Sequence, residues 1–137
     1  MAEVLTGAFR PASALTICGL VATGCVSDER LGGPLAIEVA APTPQAALQA
    51  IASGASRCWG SGAMDGYAAI PELDTEVGTP RILIVEKGGG GGLPSMVVEA
   101  RPEPTRIRTY GPLTATALSD RINADIIRWS TGRGGCR

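Results

Sequence analysis

Few side chains in this sequence could do chemistry, and histidine is not among them. Asp65, Glu72, Asp74 and Glu76 form an acidic cluster in sequence. Two carboxyls held roughly 5–9.5 Å apart can cleave a glycosidic bond, one as acid and the other as base or nucleophile. The plainer alternative is a set of solvated carboxylates in a turn-rich strand region. Ser61 stands between Gly60 and Gly62 but lacks the longer G-x-S-x-G elbow, and without histidine the chain cannot assemble a Ser-His-Asp triad. Residues 88–92 are five consecutive glycines. A phosphate loop needs a Lys-Ser/Thr pair after its glycines, feeding a helix. Leu93-Pro94 follows instead, so the run reads as a flexible hairpin tip. Arg101, Arg106 and Arg108 cluster around another hairpin, and Tyr110 shares a face with the last two. They are a candidate anion- or partner-binding patch, suited to lipopolysaccharide phosphates or a partner's carboxylates. The competing reading is the solvated outer face of an antiparallel sheet.

The cysteines are Cys18, Cys25, Cys58 and Cys136. The first two lie in a distinctive N-terminal segment. A short, weakly positive head carrying Glu3 and Arg10 leads into an apolar stretch over 12–22, too short for the roughly 20 residues that cross a bilayer. It fits the apolar core of a secretory signal, which ends in small residues at its cleavage point. The segment runs into Ala22-Thr23-Gly24-Cys25 and resembles the signal of bacterial lipoproteins, in which small residues precede an obligatory cysteine that becomes the lipid-modified N-terminus. Ala22 stands where that family usually has leucine. The resemblance covers the signal only. It implies that Cys25 carries the lipid and that three acyl chains make the anchor permanent, at about 0.8 kcal/mol per buried CH₂. Val26, rather than aspartate, follows the cysteine, which by the same resemblance favours the outer membrane. Ala22-Thr23-Gly24 also suits an ordinary signal peptidase, which would release a soluble periplasmic protein.

On that resemblance Cys18 would leave with the signal and Cys25 would be lipidated, which would leave Cys58 and Cys136 as an even pair in an oxidising compartment, where disulfides persist. A bridge between them would close a loop of about 79 residues, worth roughly 4–5 kcal/mol by chain entropy. The chain has no C-x-x-C and no histidine, so neither a metal site nor an activated cysteine is expected, and no cofactor motif is present. Trp59 and Trp129 each lie near one of these cysteines, which favours core packing around the bridge over ligand stacking.

The net charge is −1, which gives no electrostatic footprint for nucleic acid. Residues 1–24 read as signal, 25–34 as lipidated cysteine and short tether, and 35–137 as a single periplasmic domain.

Within that domain Leu35, Ile37 and Val39 alternate with Ala36, Glu38 and Ala40, a strand pattern. Thr43-Pro44 opens a helix with Thr43 as N-cap. Ala47, Leu48, Ile51, Ala55 and Cys58 form its inner face, Gly54 weakens it, and Trp59 with Gly60-Ser61-Gly62 marks its end. Residues 67–75 are extended with a bend at Pro71, and Val77-Gly78-Thr79-Pro80 turns. Ile82-Leu83-Ile84-Val85 is a buried-strand run. Residues 95–100 and 106–110 give two more strands, separated by Pro102-Glu103-Pro104. Leu118, Ile122, Ile126 and Trp129 form one face of a last helix. Asp120, Arg121, Asp125 and Arg128 decorate its other sides.

The order β-α-β-β-β-β-α with short connections predicts an α+β fold: an antiparallel sheet of about four to five strands with two helices on one face, the C-terminal one lying across it. This pattern is similar to helix-grip or TBP-like folds such as those of the outer-membrane assembly lipoprotein BamC, in architecture only. The expectation is a non-enzymatic lipoprotein of the outer membrane, facing the periplasm. It would bind or support another envelope protein or peptidoglycan, and its membrane contact would be the N-terminal lipid. The alternatives are a small-ligand or lipid carrier and an envelope hydrolase using the acidic pair.

Overall fold

The computed structural model describes residues 32–74, 76 and 78–137. The segment read as a signal with Cys18, then Cys25 and the segment read as a tether as far as residue 31, and Thr75 and Val77, lie outside the described residues.

The elements are β1 (Ala36–Glu38), α1 (Pro44–Cys58), β2 (Tyr67–Glu72), β3 (Arg81–Glu86), β4 (Met96–Arg101), β5 (Arg106–Tyr110) and α2 (Leu118–Ser130). Short 3-10 turns at Gly62–Met64 and Pro112–Ala115 interrupt the connections. The five strands form one antiparallel sheet in the order β1-β5-β4-β3-β2. The fold is therefore α+β, with the element order read from the sequence.

Each element forms for a local reason. Thr43 is extended and its hydroxyl accepts the Ala46 N–H at 3.1 Å, while Pro44 occupies the first turn, where no backbone donor is needed. Pro71 is tolerated inside β2 because β2 is an edge strand. Ile82, Ile84, Met96, Val98, Ala100 and Ile107 point from the strands to one face, joined by Val39 just after β1, and Leu48, Ile51, Ile122 and Ile126 of the helices meet them there.

α1 makes the closer approach to β2, β3 and β4, while α2 packs beside it on α1 and the second 3-10 turn and sends Ile122 and Ile126 into the same core. Two residues differ from the sequence reading. Gly54 explains the close approach of the helices. A β-carbon there would meet the Trp129 ring, 2.1 Å from Cδ2, so this glycine is a seat for the indole rather than a weak point. Asp125 is also not surface decoration. It is 2% exposed and accepts the Trp59 indole N–H at 3.1 Å, with Arg121 Nε at 3.8 Å.

The Trp59 and Trp129 rings stack at 5.7 Å between centroids, tilted by 53°. Beside them Cys58 is bonded to Cys136, with Cα atoms 5.2 Å apart. The Trp129 indole donates to the Gly135 carbonyl at 3.2 Å, so the tail is fastened at two adjacent points. The leading segment is fastened as well. Gly33 N–H donates to Ser119 Oγ at 3.2 Å, and Asn123 Nδ2 donates to the Gly33 carbonyl at 2.9 Å. Leu35 N–H reaches Thr109 Oγ1 at 2.7 Å. The folded unit thus extends back to Gly33, into the segment read as tether.

Candidate functional site

Both helices lie on one face of the sheet, which leaves the other face open. Strand alternation puts Ala68, Ile70 and Glu72 of β2, and Arg81, Leu83 and Val85 of β3, on that face. Val97, Glu99 and Arg101 of β4 join them, as do Arg106, Arg108 and Tyr110 of β5 and Ala36 and Glu38 of β1. The register then sorts these residues into rows. One row runs Ala36, Arg108, Glu99, Arg81, Glu72, with opposite charges on neighbouring strands. The row beside it holds Glu38, Arg106 and Arg101. On the other side lies a row without charge: Tyr110, Val97, Leu83, Ile70. Val85 and Ala68 extend it further.

The structure brings all four residues of the expected patch onto this face. It also gives the arginines carboxylate neighbours that the sequence reading did not place. Arg81 Nε lies 2.6 Å from Glu72 Oε2, Arg101 Nε lies 2.6 Å from Glu99 Oε1, and Arg106 Nε lies 4.0 Å from Glu38 Oε2. The Tyr110 hydroxyl reaches Glu99 Oε2 at 3.5 Å. Glu72 holds the Arg81 guanidinium above its ordinary pKa, chiefly through their hydrogen bond and then through its charge. Glu99 sits at the centre. Its side chain is only 13% exposed, and Arg81 and Arg108 flank it across the strands. Arg108 forms no ion pair among the described residues. The patch is a nearly balanced charge mosaic rather than a basic cradle. It suits a partner surface of alternating charge better than a single anion.

The open face also corrects the reading of Ile82-Leu83-Ile84-Val85 as buried on both sides. Ile82 and Ile84 enter the core, but Leu83 and Val85 face outwards and are half-buried. No helix covers them, so the continuous apolar run leaves an apolar stripe at the surface. An exposed apolar stripe of this kind is able to serve as a contact surface. The signal was legible as alternation: Arg81 and Leu83 share a parity with Val85, just as Val97 and Glu99 share one with Arg101.

The acidic cluster divides. Asp65 precedes β2 and lies 3.8 Å from Lys87 Nζ. Glu72, at the far end of β2, is taken by Arg81, and Asp74 Oδ1 accepts the Glu76 N–H at 2.8 Å. Glu72 and Asp74 line a shallow groove of about 630 Å³ with Thr79, Arg81 and Glu99. Ser61 is the exposed residue before a 3-10 turn and makes no side-chain cap. Among the described residues no group of three His, Cys, Asp or Glu is placed to hold a metal ion, and no helix is long and apolar enough to cross a membrane.

Comparison with protein-family models, curated proteins and solved structures finds no match.

Proposed function

We propose that this protein is a lipoprotein of the bacterial outer membrane. In this reading Cys25 holds it by lipid, and its periplasmic domain is a non-enzymatic binding or structural module. The observation that carries the proposal is the Cys58–Cys136 bond. It uses both cysteines of the folded domain and is a bond of oxidising compartments, so an exported chain needs nothing further from Cys25, which follows Ala22-Thr23-Gly24 in the lipoprotein-like signal. The docking surface in this reading is the open sheet face, with Arg101, Arg106, Arg108 and Tyr110 in its charged and apolar rows. Its partner is another envelope protein or the cell wall.

Two further facts favour a module over the alternatives. A carrier would need an apolar cavity between sheet and helices. Leu48, Ile51, Met64, Ile84, Met96 and Ile122 fill that layer, each at most 1% exposed. A hydrolase of the two-carboxylate kind would need a free convergent acidic pair; in the groove that Glu72, Asp74 and Glu99 line, Glu72 is paired with Arg81 and Glu99 with Arg101, and Asp65 lies at the other end of β2 beside Lys87.

The test is the intact mass of the protein extracted from native membranes, with and without reductant. The proposal requires a chain beginning at Cys25 with added acyl groups, gaining the mass of two hydrogens on reduction. An unacylated chain beginning at Cys25 would replace it with a soluble periplasmic protein. An unprocessed chain beginning at Met1 would remove the export argument altogether.

A further inference from the structure

Three large hydrophobic side chains stand out as exposed among the described residues: Leu93 at 95%, Ile70 at 46% and Tyr110 at 44%. The topology draws them to one half of the molecule. Ile70 and Tyr110 are the two ends of the uncharged row on the open face. Leu93 lies beyond that row, in the hairpin joining β3 to β4. The hairpin leaves β3 after Glu86 and returns at Met96, so it projects from the end of the sheet where β5 finishes at Tyr110. Backbone contacts confirm the neighbourhood: Leu113 N–H donates to the Ser95 carbonyl at 2.9 Å. Gly111, at φ 119°, passes so close that a β-carbon would lie 2.8 Å from that same oxygen.

The chain also enters the domain at this end. Thr109 N–H donates to the Leu35 carbonyl at 3.0 Å, and Gly33 is pinned to Ser119 at the start of α2. Gly32 follows Cys25 by seven positions. Fully extended, seven steps span at most about 25 Å. If Cys25 is the lipid anchor, the bilayer lies within that reach of the end bearing Leu93.

We infer that this end rests on the lipid surface, with Leu93 and its glycine hairpin entering the interface and the Tyr110–Ile70 row beside it. The inference rests on the anchor reading of Cys25 and adds an orientation to it. Residues 88–98 carry no charged side chain, so a tip at headgroup depth buries no ion. The charges that flank this stretch in sequence are Lys87, which faces Asp65 at the base of the hairpin, and Glu99, whose carboxylate takes the Tyr110 hydroxyl. Leucine suits the acyl boundary and tyrosine the headgroup level. One leucine would recruit a free protein only weakly. On a domain already tethered, the high effective concentration lets the same contact fix orientation. The charged rows would then stand further from the bilayer along the same face, open to a partner.

The experiment uses the lipidated full chain with Leu93→Trp, purified from membranes and reconstituted in phosphatidylethanolamine/phosphatidylglycerol vesicles with brominated acyl chains. Trp59 and Trp129 are each 3% exposed, so the parent protein supplies the background. An Arg101→Trp variant reports the charged rows. The expected result is that both variants float with the vesicles, while bromine quenches the added emission of Leu93→Trp by about twofold or more and leaves that of Arg101→Trp unchanged. Flotation with no quenching of Leu93→Trp overturns the inference and leaves the anchor standing; the tip then meets something other than lipid. Equal quenching of both variants overturns it in favour of a domain lying flat. Failure to float overturns the anchor reading and this inference with it.

Discussion

The indole of Trp129 lies on the backbone of Gly54, so close that a β-carbon on Gly54 would sit 2.1 Å from Trp129 Cδ2. This single contact sets how near α1 and α2 can pack. Gly54→Ala should therefore destabilise the protein although alanine is the better helix former by about 1 kcal/mol. Overpacking typically costs about 1–3 kcal/mol, and this site has a rigid ring opposite, so a net loss of about 2 kcal/mol is expected in urea denaturation. A gain in stability would mean that the helices separate freely.

Replacing both bonded cysteines by serine should cost about 4 kcal/mol by chain entropy. The bond spans a sequence separation of 78. Chemical denaturation of the parent with and without reductant should reproduce the difference. Unchanged midpoints would show that the helix pair and tail hold without the bond.

Asp125→Ala should be more damaging than Asp125→Asn. The alanine leaves the buried Trp59 N–H without its acceptor and Arg121 without its counter-charge, a loss of about 3 kcal/mol. Asparagine keeps an acceptor for the indole. Denaturation curves and tryptophan emission on both variants check the order, and equal losses would contradict the role given to the Trp59 hydrogen bond.

The charged rows should matter for binding and little for folding. Arg106 and Glu38 are both 63% exposed and 4.0 Å apart, and exposed pairs contribute about 0–1 kcal/mol. Arg106→Gln with Arg108→Gln should melt within about 1 kcal/mol of the parent. Photo-crosslinkers placed on the open face should lose their adducts in the same variant. Adducts that persist would move the partner surface elsewhere.

Much of the fold was legible because its signals are local. The alternation of Leu35, Ile37 and Val39, the Thr43-Pro44 start and the Ile122, Ile126 and Trp129 face each depend on a few neighbouring residues. The pairing of Cys58 with Cys136 was expected because the lipoprotein-like reading of the N-terminal segment set Cys18 and Cys25 aside and left an even pair. What could not be read depends on distant partners. Gly54 looks like a helix defect until Trp129 is laid against it. Asp125 looks like surface until Trp59 meets it. The arginine patch looks basic until strand register sets Glu99 between Arg81 and Arg108. Sheet order decides that register, and short-range spacing does not encode it.

The bond between Cys58 and Cys136 also bears on how the domain would withstand proteolysis. The glycine hairpin is an exposed stretch of backbone, and a cut there would divide the chain between β3 and β4. The strands of the two pieces are interleaved: β4 and β5 of the second piece lie between β3 and β1 of the first. The disulfide starts in the first piece and ends in the second. A clipped molecule would therefore remain a single covalent particle in the same sheet, and would separate into fragments only on reduction.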